Sequence, residues 1–185
     1  MILRQKKILV ASTYVPGGDE EILETELENL TRLIRQARRK TAEDIYVLII
    51  GDFNRHDMLW GGTEVTHERQ GEGTLIVDFI ASQALTSLLP RGTKTWQRNN
   101  QESTIDLVLA STELTAALIR CAVHETDHGS DHNAIETMFD IDNPIKVVEP
   151  RLLFKNALWK AIKERIAINL ARPQQEVTGR GGEKV

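Results

Sequence analysis

Two side chains that follow an apolar segment could bind a cation or hold a water molecule. Asp52 and Asn54 lie in Gly51–Asn54, directly after the apolar run Ile45–Ile50. In α/β sheets, loops at the carboxyl ends of strands place polar groups over a rigid base, so both side chains can reach one ligand. Gly, Asp and Asn also favour ordinary turns. Taken alone, this tetrapeptide indicates a turn more often than a site.

A further carboxylate lies inside an apolar segment and needs a partner. Asp106 is flanked by apolar residues in Ile105–Leu109, so we expect it to be largely buried. A buried carboxylate is costly unless it is paired or hydrogen-bonded. Its partner could be backbone groups or His132 in Gly129–Asn133. A hydrogen bond from His132 to this carboxylate would fix the tautomer of the imidazole and favour its charged form. The neighbouring Asp131 would then be left to bind a metal ion.

These residues need a rigid base, and the N-terminal part of the chain predicts one. Lys7–Tyr14 has the composition of a strand, and Pro16–Gly18 has that of a turn. An amphipathic helix is expected from its cap, Asp19, to about Arg39, with acidic residues in its first turns and basic residues in its last. The run Ile45–Ile50 is apolar throughout, which is typical of a strand covered on both faces. Strand, helix and strand in this order predict a layered α/β fold.

The middle of the chain predicts a long loop, a helix and several short strands. Residues 51–73 lack regular apolar spacing, and loops longer than about 12–15 residues are commonly functional or disordered. Thr74–Ala84 returns to helical spacing. The strands expected after it are Thr93–Gln97, Thr104–Ala110, Ala117–Val123 and Ala134–Phe139.

Length and composition bound the domain organisation. A chain of 185 residues with 41% hydrophobic residues suits one domain with a sizeable core and an appendage. We predict a domain over residues 1–140, and over residues 141–185 a linker, an amphipathic helix and a disordered tail. We expect neither a secretory signal nor a bilayer-spanning segment, and the single cysteine, Cys121, fits a reducing compartment. The expected location is therefore intracellular.

The charge of the chain leaves nucleic acid open as a partner. A formal net charge of −4 argues against a protein that coats nucleic acid through bulk electrostatics, but not against binding of one phosphodiester group. Basic and aromatic residues favour contacts with a nucleic-acid backbone and bases, although each fits an ordinary surface charge or a core tryptophan equally well. These residues are Arg55, His56, Trp60, Arg91, Lys94, Trp96 and Arg98.

Three motifs in this order resemble the C-terminal motifs of the endonuclease/exonuclease/phosphatase family. They are Gly-Asp-Phe-Asn at Gly51–Asn54, Thr-Ile-Asp-Leu-Val-Leu at Thr104–Leu109, and Gly-Ser-Asp-His-Asn-Ala-Ile at Gly129–Ile135. The longer string Gly51–Gly62 is similar to the endonuclease domains attached to reverse transcriptases in non-LTR retroelements. Over roughly residues 8–139, the resemblance implies a DNase I-like α/β sandwich with mixed, largely antiparallel sheets and flanking helices.

The resemblance also implies catalytic roles. Asp52 would orient and activate the attacking water, helped by Asn54. His132 would contact the scissile phosphate and would be held in place by Asp106. Tyr14 matches the tyrosine that contacts a phosphate oxygen in this family. The implied function is metal-dependent hydrolysis of phosphodiesters, specifically DNA nicking for a non-LTR retroelement, with a nuclear location if chromosomal DNA is the target.

Metal binding and partners follow from the same resemblance. Asp131, Asp52 and Asn54 would ligate Mg²⁺ or Mn²⁺, and Thr104 would contribute to the phosphate pocket. The implied partners are DNA and a reverse transcriptase domain of the full-length element.

One departure and three alternatives qualify these expectations. The family carries a metal-binding glutamate before the tyrosine strand, whereas residues 1–13 contain no acid, so we expect a truncated member with weak or no activity of its own. The alternatives are an inactive remnant with a binding role, and a phosphatase or phospholipase of the same family. A zinc site is the third, because His124, His128 and His132 recur every four residues. Gly129 and Ser130 argue against the continuous helix that such a site would need.

Overall fold

The computed structural model describes residues 7–40 and 45–141, together with Lys160 and Lys163. The chain divides into two units, Met1–Pro144 and Ile145–Val185. The two described residues of the second unit are helical. The predicted linker, C-terminal helix and tail otherwise lie outside the described residues.

Within residues 7–40 and 45–141, the first unit has eight strands and four α-helices. The strands are β1 (Lys7–Tyr14), β2 (Ile45–Asp52), β3 (Leu85–Ser87), β4 (Trp96–Arg98), β5 (Gln101–Ser103), β6 (Asp106–Ser111), β7 (Leu118–Val123) and β8 (Ile135–Phe139). The helices are α1 (Glu20–Lys40), α2 (Met58–Gly61), α3 (Thr74–Gln83) and α4 (Thr112–Thr115), with short 3-10 turns at Gly62–Glu64 and His67–Arg69. Among the helices that the structure describes, none is long and apolar enough to cross a membrane.

The main sheet has four strands in the order β1-β2-β6-β3. β1 is parallel to β2, and β6 is antiparallel to both β2 and β3. Two antiparallel hairpins, β4-β5 and β7-β8, complete the strands. The predicted mixed and largely antiparallel α/β architecture is therefore confirmed.

Helix α1 covers one face of this sheet, as its sequence predicts. Oδ1 of Asp19 accepts a hydrogen bond from the backbone N–H of Ile22 at 3.1 Å, which satisfies one of the free donors at the helix start. The buried stripe of α1 is Leu23, Leu27, Leu30 and Ile34. It forms a core with Val47 and Ile49 of β2 and with Leu107 and Leu109 of β6. Burial of these side chains holds the helix on the sheet.

A second core lies on the opposite face of the sheet. Val108 and Ala110 of β6 pack there with Leu88, Leu114 and Cys121. The alternate residues of β2 (Tyr46, Leu48 and Ile50) are partly buried against the same cluster. β2 is thus covered on both faces, as its unbroken apolar sequence predicts.

Strand β1 forms the edge of the sheet and is covered on one face only. Leu9 and Ala11 pack against the first core. On the other face, Val10 is 58% exposed and Ile8 is 38% exposed. Apolar side chains of this kind on a sheet face are a candidate contact surface.

Three secondary-structure predictions need correction. Residues 51–73 are predicted to be a loop but contain α2 and both 3-10 turns. The helix α2 is short, and it is held by the Asp57 carboxylate, which accepts from the N–H of Leu59 at 2.8 Å, and by the fully buried Trp60. Strands β3 and β5 are not predicted. Each has three residues, too few to show the alternation from which a strand is recognised.

The strand boundaries around the β4-β5 hairpin also differ from the prediction. β4 begins at Trp96 instead of Thr93, and β6 begins at Asp106 instead of Thr104. The turn between β4 and β5 uses Asn99 and Asn100, which have φ angles of 49° and 62°. Asparagine tolerates this left-handed region, and two such residues in succession favour a tight hairpin turn.

Candidate active site

Three predicted site residues lie in one row across neighbouring strands. Tyr14 is the register partner of Asp52 on β1 and β2, and Asp52 is the register partner of Asp106 on β2 and β6. Register partners project from the same face of a sheet. Asp106 alternates with Leu107, which points towards α1, so the row lies on the face opposite α1. The ring of Tyr14 is 69% exposed and is open to a ligand.

His132 approaches this row from the segment before β8. Its Nδ1 lies 3.0 Å from Oδ2 and 3.2 Å from Oδ1 of Asp106, so the predicted hydrogen bond is present. Its Nε2 lies 3.9 Å from Oδ2 of Asp52. Candidate ligand atoms of Asp52, Asp106 and His132 all lie within 4.8 Å of one another. In the part of the chain that the structure describes, this is the single group of three such residues that could hold a metal ion.

Asn54 holds the carboxylate of Asp52 in place. The backbone N–H of Asn54 donates to Oδ1 of Asp52 at 2.9 Å, and its Nδ2 donates to Oδ2 at 2.7 Å. Nδ2 also donates to the carbonyl of Val15 at 3.0 Å. Asn54 has a φ of 47°, a conformation that asparagine adopts more readily than most residues. Because Nδ2 faces Asp52, any metal contact from Asn54 would have to use Oδ1.

Gly51 explains why a glycine begins this motif. A Cβ atom built at Gly51 would lie 1.9 Å from the carbonyl oxygen of Thr13 on the neighbouring strand. Any side chain at this position would separate the ends of β1 and β2. The close approach of these strands brings Tyr14 next to Asp52.

Burial and the charges of the cluster together shift the pKa values of His132 and Asp52. Burial lowers the pKa of His132, but the hydrogen bond and charge of Asp106, with the charges of Asp52 and Asp131, outweigh it, so the net pKa is raised. Burial is the main cause that raises the pKa of Asp52, and the charge of Asp106 adds to it against the opposing effects of Asn54 and His132. The site therefore favours a protonated imidazole beside a carboxylate of increased basicity.

Two other predicted residues lie outside this cluster. The carboxylate of Asp131 is exposed, and its Oδ2 accepts a hydrogen bond from the indole N–H of Trp96 at 3.3 Å. Thr104 is buried, and its hydroxyl donates to the carbonyl of Thr93 at 2.6 Å. The structure therefore brings Tyr14, Asp52, Asn54, Asp106 and His132 together, and leaves Asp131 and Thr104 beside them.

Thr95 is a residue that the sequence does not single out. It is fully buried, and its Oγ1 accepts hydrogen bonds from the backbone N–H groups of Ile105 at 3.1 Å and Asp106 at 3.0 Å. Its carbonyl accepts from the N–H of Asn133 at 2.7 Å. Thr95 thus ties the strand that carries Asp106 to the segment that carries His132. A threonine just before a short polar strand gives no sequence signal for this role.

The structure does not support the zinc alternative. Residues 124–134 form no helix. The rings of His124 and His128 lie with their centroids 5.4 Å apart, whereas His132 is hydrogen-bonded to Asp106. Of the aromatic residues considered for nucleic-acid contacts, Trp60 belongs to the first core and its indole donates to the carbonyl of Arg55.

Comparison with protein families gives one match that spans most of the chain. The model of the family described as "Endonuclease-reverse transcriptase" matches residues 8–136. No curated protein sequence matches the chain.

Solved structures share the fold. The endonuclease domain of TRAS1, a telomere-specific non-LTR retrotransposon, is 21% identical with a TM-score of 0.57, and the match covers 71% of this chain and 57% of that one. The 3′ phosphatase NExo from Neisseria, bound to a product DNA hairpin, is 20% identical with a TM-score of 0.54 over 70% of this chain and 60% of that one. An AP endonuclease from Archaeoglobus fulgidus is 17% identical with a TM-score of 0.50 over 72% and 62%. The chain thus spans about three-fifths of the length of these structures and has a DNase I-like α/β fold.

Proposed function

The chain belongs to the endonuclease-reverse transcriptase family of DNase I-like phosphodiesterases, and we propose that it hydrolyses phosphodiester bonds in DNA, as a nicking endonuclease of a non-LTR retroelement. The observation that carries the proposal is the convergence of Asp52, Asp106 and His132, whose ligand atoms lie within 4.8 Å of one another. Phosphodiester hydrolysis needs a positioned water molecule and positive charge where the phosphate becomes more negative. The cluster supplies groups for both.

His132 is the residue that stabilises charge on the phosphate. Asp106 holds Nδ1 and, with Asp52, favours the protonated ring. Nε2 has Asp52 3.9 Å away, beyond hydrogen-bonding distance, and is therefore free to donate to a phosphate oxygen. Tyr14, exposed in the same row, adds a second donor through its hydroxyl.

Asp52 is the residue that orients the attacking water. Both its oxygens accept hydrogen bonds from Asn54, which fixes the plane of the carboxylate. A carboxylate whose pKa is raised towards neutrality is a better general base. The raised pKa of Asp52 and its position beside His132 support this role.

The donor set also fits a divalent cation. Asp52 and Asp106 are in-register carboxylates, and the charge of Asp106 contributes to the raised pKa of Asp52. A cation bound by both carboxylates would reduce the repulsion between them. Oxygen ligands of this kind suit Mg²⁺ or Mn²⁺. The residues that would hold the ion are Asp52 and Asp106, with Asn54 through Oδ1, and with Asp131 if its carboxylate turns from Trp96. A bound cation would supply Lewis-acid stabilisation of the phosphate.

DNA is proposed as the substrate because the family and the structural neighbours point to it. The TRAS1 domain comes from a retrotransposon, and NExo is bound to a DNA hairpin. A reverse transcriptase domain as partner and a nuclear site of action follow from the retroelement assignment.

Relaxation of supercoiled plasmid in Mg²⁺, with EDTA as the negative control, tests the proposal. Asp52→Asn and His132→Asn should each lower nicking by at least about 100-fold, the scale of a lost acid–base or electrostatic group. Asp78→Asn, on the exposed surface of α3, is the matched control and should nick normally. Phosphomonoester or phospholipid hydrolysis faster than plasmid nicking would overturn the DNA assignment. DNA binding without hydrolysis of any of these substrates would instead favour an inactive binding remnant.

A further inference from the structure

A histidine outside the catalytic cluster links an acid to a base on the loop that follows Asn54. Nδ1 of His56 lies 3.0 Å from Oε2 of Glu72. Nη1 of Arg69 lies 2.8 Å from Nε2 and 3.0 Å from Nδ1 of the same ring. Because a carboxylate can only accept, Nδ1 donates the ring proton to Glu72. Nη1 of Arg69 is nearly equidistant from both ring nitrogens, so the guanidinium group lies against the face of the imidazole.

This arrangement holds Arg69 without cancelling its charge. Nη1 contacts the imidazole of His56, which carries no negative charge, and Arg69 forms no ion pair with a carboxylate in the described residues. A guanidinium group has five N–H donors, and most of those of Arg69 remain available. The side chain is exposed, although its end is fixed at His56. A fixed, exposed guanidinium with free donors is suited to bind an oxyanion.

The position of Arg69 connects it to the candidate active site. Arg69 and His56 line two concavities, one of about 490 Å³ and one of about 310 Å³. The first also contains Asn54, whose amide holds Asp52. The second also contains Trp96, whose indole contacts Asp131. Arg69 therefore lines one concavity that reaches Asn54, which contacts the cluster, and a second that reaches Trp96, which contacts Asp131 beside the cluster.

The other cations that line these concavities already have partners. Lys94 forms an ion pair with Glu64, and Glu72 is hydrogen-bonded to His56. Arg55 is buried and donates to the carbonyl groups of Pro16, Asn54 and Asp19. Glu20 and Glu102 are acids that line the edges. Arg69 is the exposed cation of this lining whose charge has no carboxylate partner in the described part of the chain.

We propose that Arg69 binds a backbone phosphate of the DNA strand next to the scissile phosphate, and that His56 and Glu72 are positioning residues that hold its guanidinium group. This inference rests on the proposed function, because it places the scissile phosphate at the Asp52–His132 cluster. The ligand class is a phosphodiester anion within a nucleic-acid strand.

Binding of a fluorescent DNA duplex by the full chain tests the inference. The His132→Asn background prevents cleavage during the measurement, and the salt concentration is varied in Mg²⁺. Arg69→Gln should weaken binding by about 10-fold, the scale of one charged hydrogen bond. It should also reduce the slope of log K against log[salt] by about 0.9, the value for one phosphate contact. Arg69→Lys should keep the slope, because the charge remains.

Arg32→Gln is the matched control. Arg32 is an exposed arginine of α1 that donates to Asn29, within the same helix. Its loss should leave both the affinity and the salt slope unchanged. Circular dichroism of each variant checks that the fold is retained.

The positioning role of His56 has its own readout. His56→Ala releases the guanidinium group and should raise KM for plasmid nicking with little change in kcat, as expected for lost substrate binding. His56→Gln should return KM towards the wild-type value, because its planar amide can donate to Glu72 and pack against the guanidinium group of Arg69. A purely structural histidine would give the same loss in both variants, and that result would remove His56 from the proposal.

The outcomes separate this inference from the proposed hydrolysis. If the unmutated chain nicks DNA and Arg69→Gln behaves like Arg32→Gln, the phosphate site is wrong and the proposed function stands. If DNA binding depends on Arg69 but neither the unmutated chain nor any variant nicks DNA, the phosphate site at Arg69 stands and the proposed hydrolysis is wrong. A chain that neither binds nor nicks DNA overturns both.

Discussion

Replacing Thr95 by valine removes one hydroxyl group from a fully buried position and keeps the side-chain shape nearly unchanged. In the structure this hydroxyl accepts from the N–H groups of Ile105 and Asp106 at 3.1 Å and 3.0 Å. Valine leaves both donors without their acceptor at the start of β6, while the carbonyl of Thr95 can still accept from Asn133. The substitution therefore loosens Asp106 without altering its side chain.

The expected loss of stability follows from the two orphaned donors. A buried donor without a partner costs about 1–3 kcal/mol, so two of them that share one acceptor should cost about 2–4 kcal/mol together. Since a domain of this size has about 5–15 kcal/mol of stability, the variant should remain folded at room temperature. The loss of activity should be more evident than the loss of folded protein, because a misplacement of about 1 Å in a catalytic group can lower the rate on the order of 100-fold.

Urea unfolding and plasmid nicking measure these two effects. Thr95→Val should lower the free energy of unfolding by the stated amount and lower kcat by at least about 10-fold with KM unchanged. Thr95→Ser retains the hydroxyl and should recover most of kcat. Nuclear magnetic resonance of the His132 ring nitrogens, at fixed pH and without metal, reports on the Asp106 contact independently of activity. A valine variant with wild-type stability, wild-type kcat and an unchanged His132 spectrum would refute the reasoning.

Three further predictions concern the strand ends, the metal and the pH. Gly51→Ala should destabilise the chain by more than about 3 kcal/mol in urea unfolding, because its Cβ would meet the Thr13 carbonyl at 1.9 Å. Gly18→Ala is the control: its Cβ meets nothing within 4 Å, so only the φ of 81° opposes the substitution and the cost should be about 1–2 kcal/mol. Half-activation by Mg²⁺ should require millimolar concentrations, since the cluster offers two carboxylates and Mg²⁺ dehydrates reluctantly; tight saturation in the micromolar range would contradict this. In metal-free buffer, the raised pKa of His132 contributes stability that is present below its unfolded pKa of about 6.5 and is lost as the pH rises through the folded pKa. Asp106→Asn should remove most of this pH dependence. A wild-type free energy of unfolding that increases as the pH rises above about 6.5 would contradict the prediction.

The sequence predicts well those helices and strands that have a long apolar pattern or a complete set of end signals. Helix α1 has a cap, a buried stripe and opposite charges at its ends, and it is found within a residue of its predicted limits. β1 has the predicted limits, and β2 extends the predicted run by two residues to Asp52. The three-residue strands β3 and β5 are missed, because their existence depends on pairing with distant residues.

The sequence likewise predicts only part of the candidate site. The contact between Asp106 and His132 is predicted, because a buried carboxylate needs a partner and the family motifs supply one. The alignment of Tyr14, Asp52 and Asp106 in one row depends on strand register, which short segments do not reveal. The hydrogen bonds of Thr95 depend on the same register. Long-range pairing is thus the information that local sequence patterns lack.

The in-register pairing of Asp52 and Asp106 runs against the usual chemistry of sheets. Like charges directly opposite each other on neighbouring strands are destabilising, and the raised pKa of Asp52 records part of that cost. A protonated His132, hydrogen-bonded to Asp106 and 3.9 Å from Asp52, offsets some of it. The rest of β2 and β6 follows the rules of a buried strand, so the conflict is confined to the ends where ligands would bind. Local conflicts of this kind are expected at functional sites. Substitutions that relieve the repulsion should therefore lower activity even where they leave the fold unharmed.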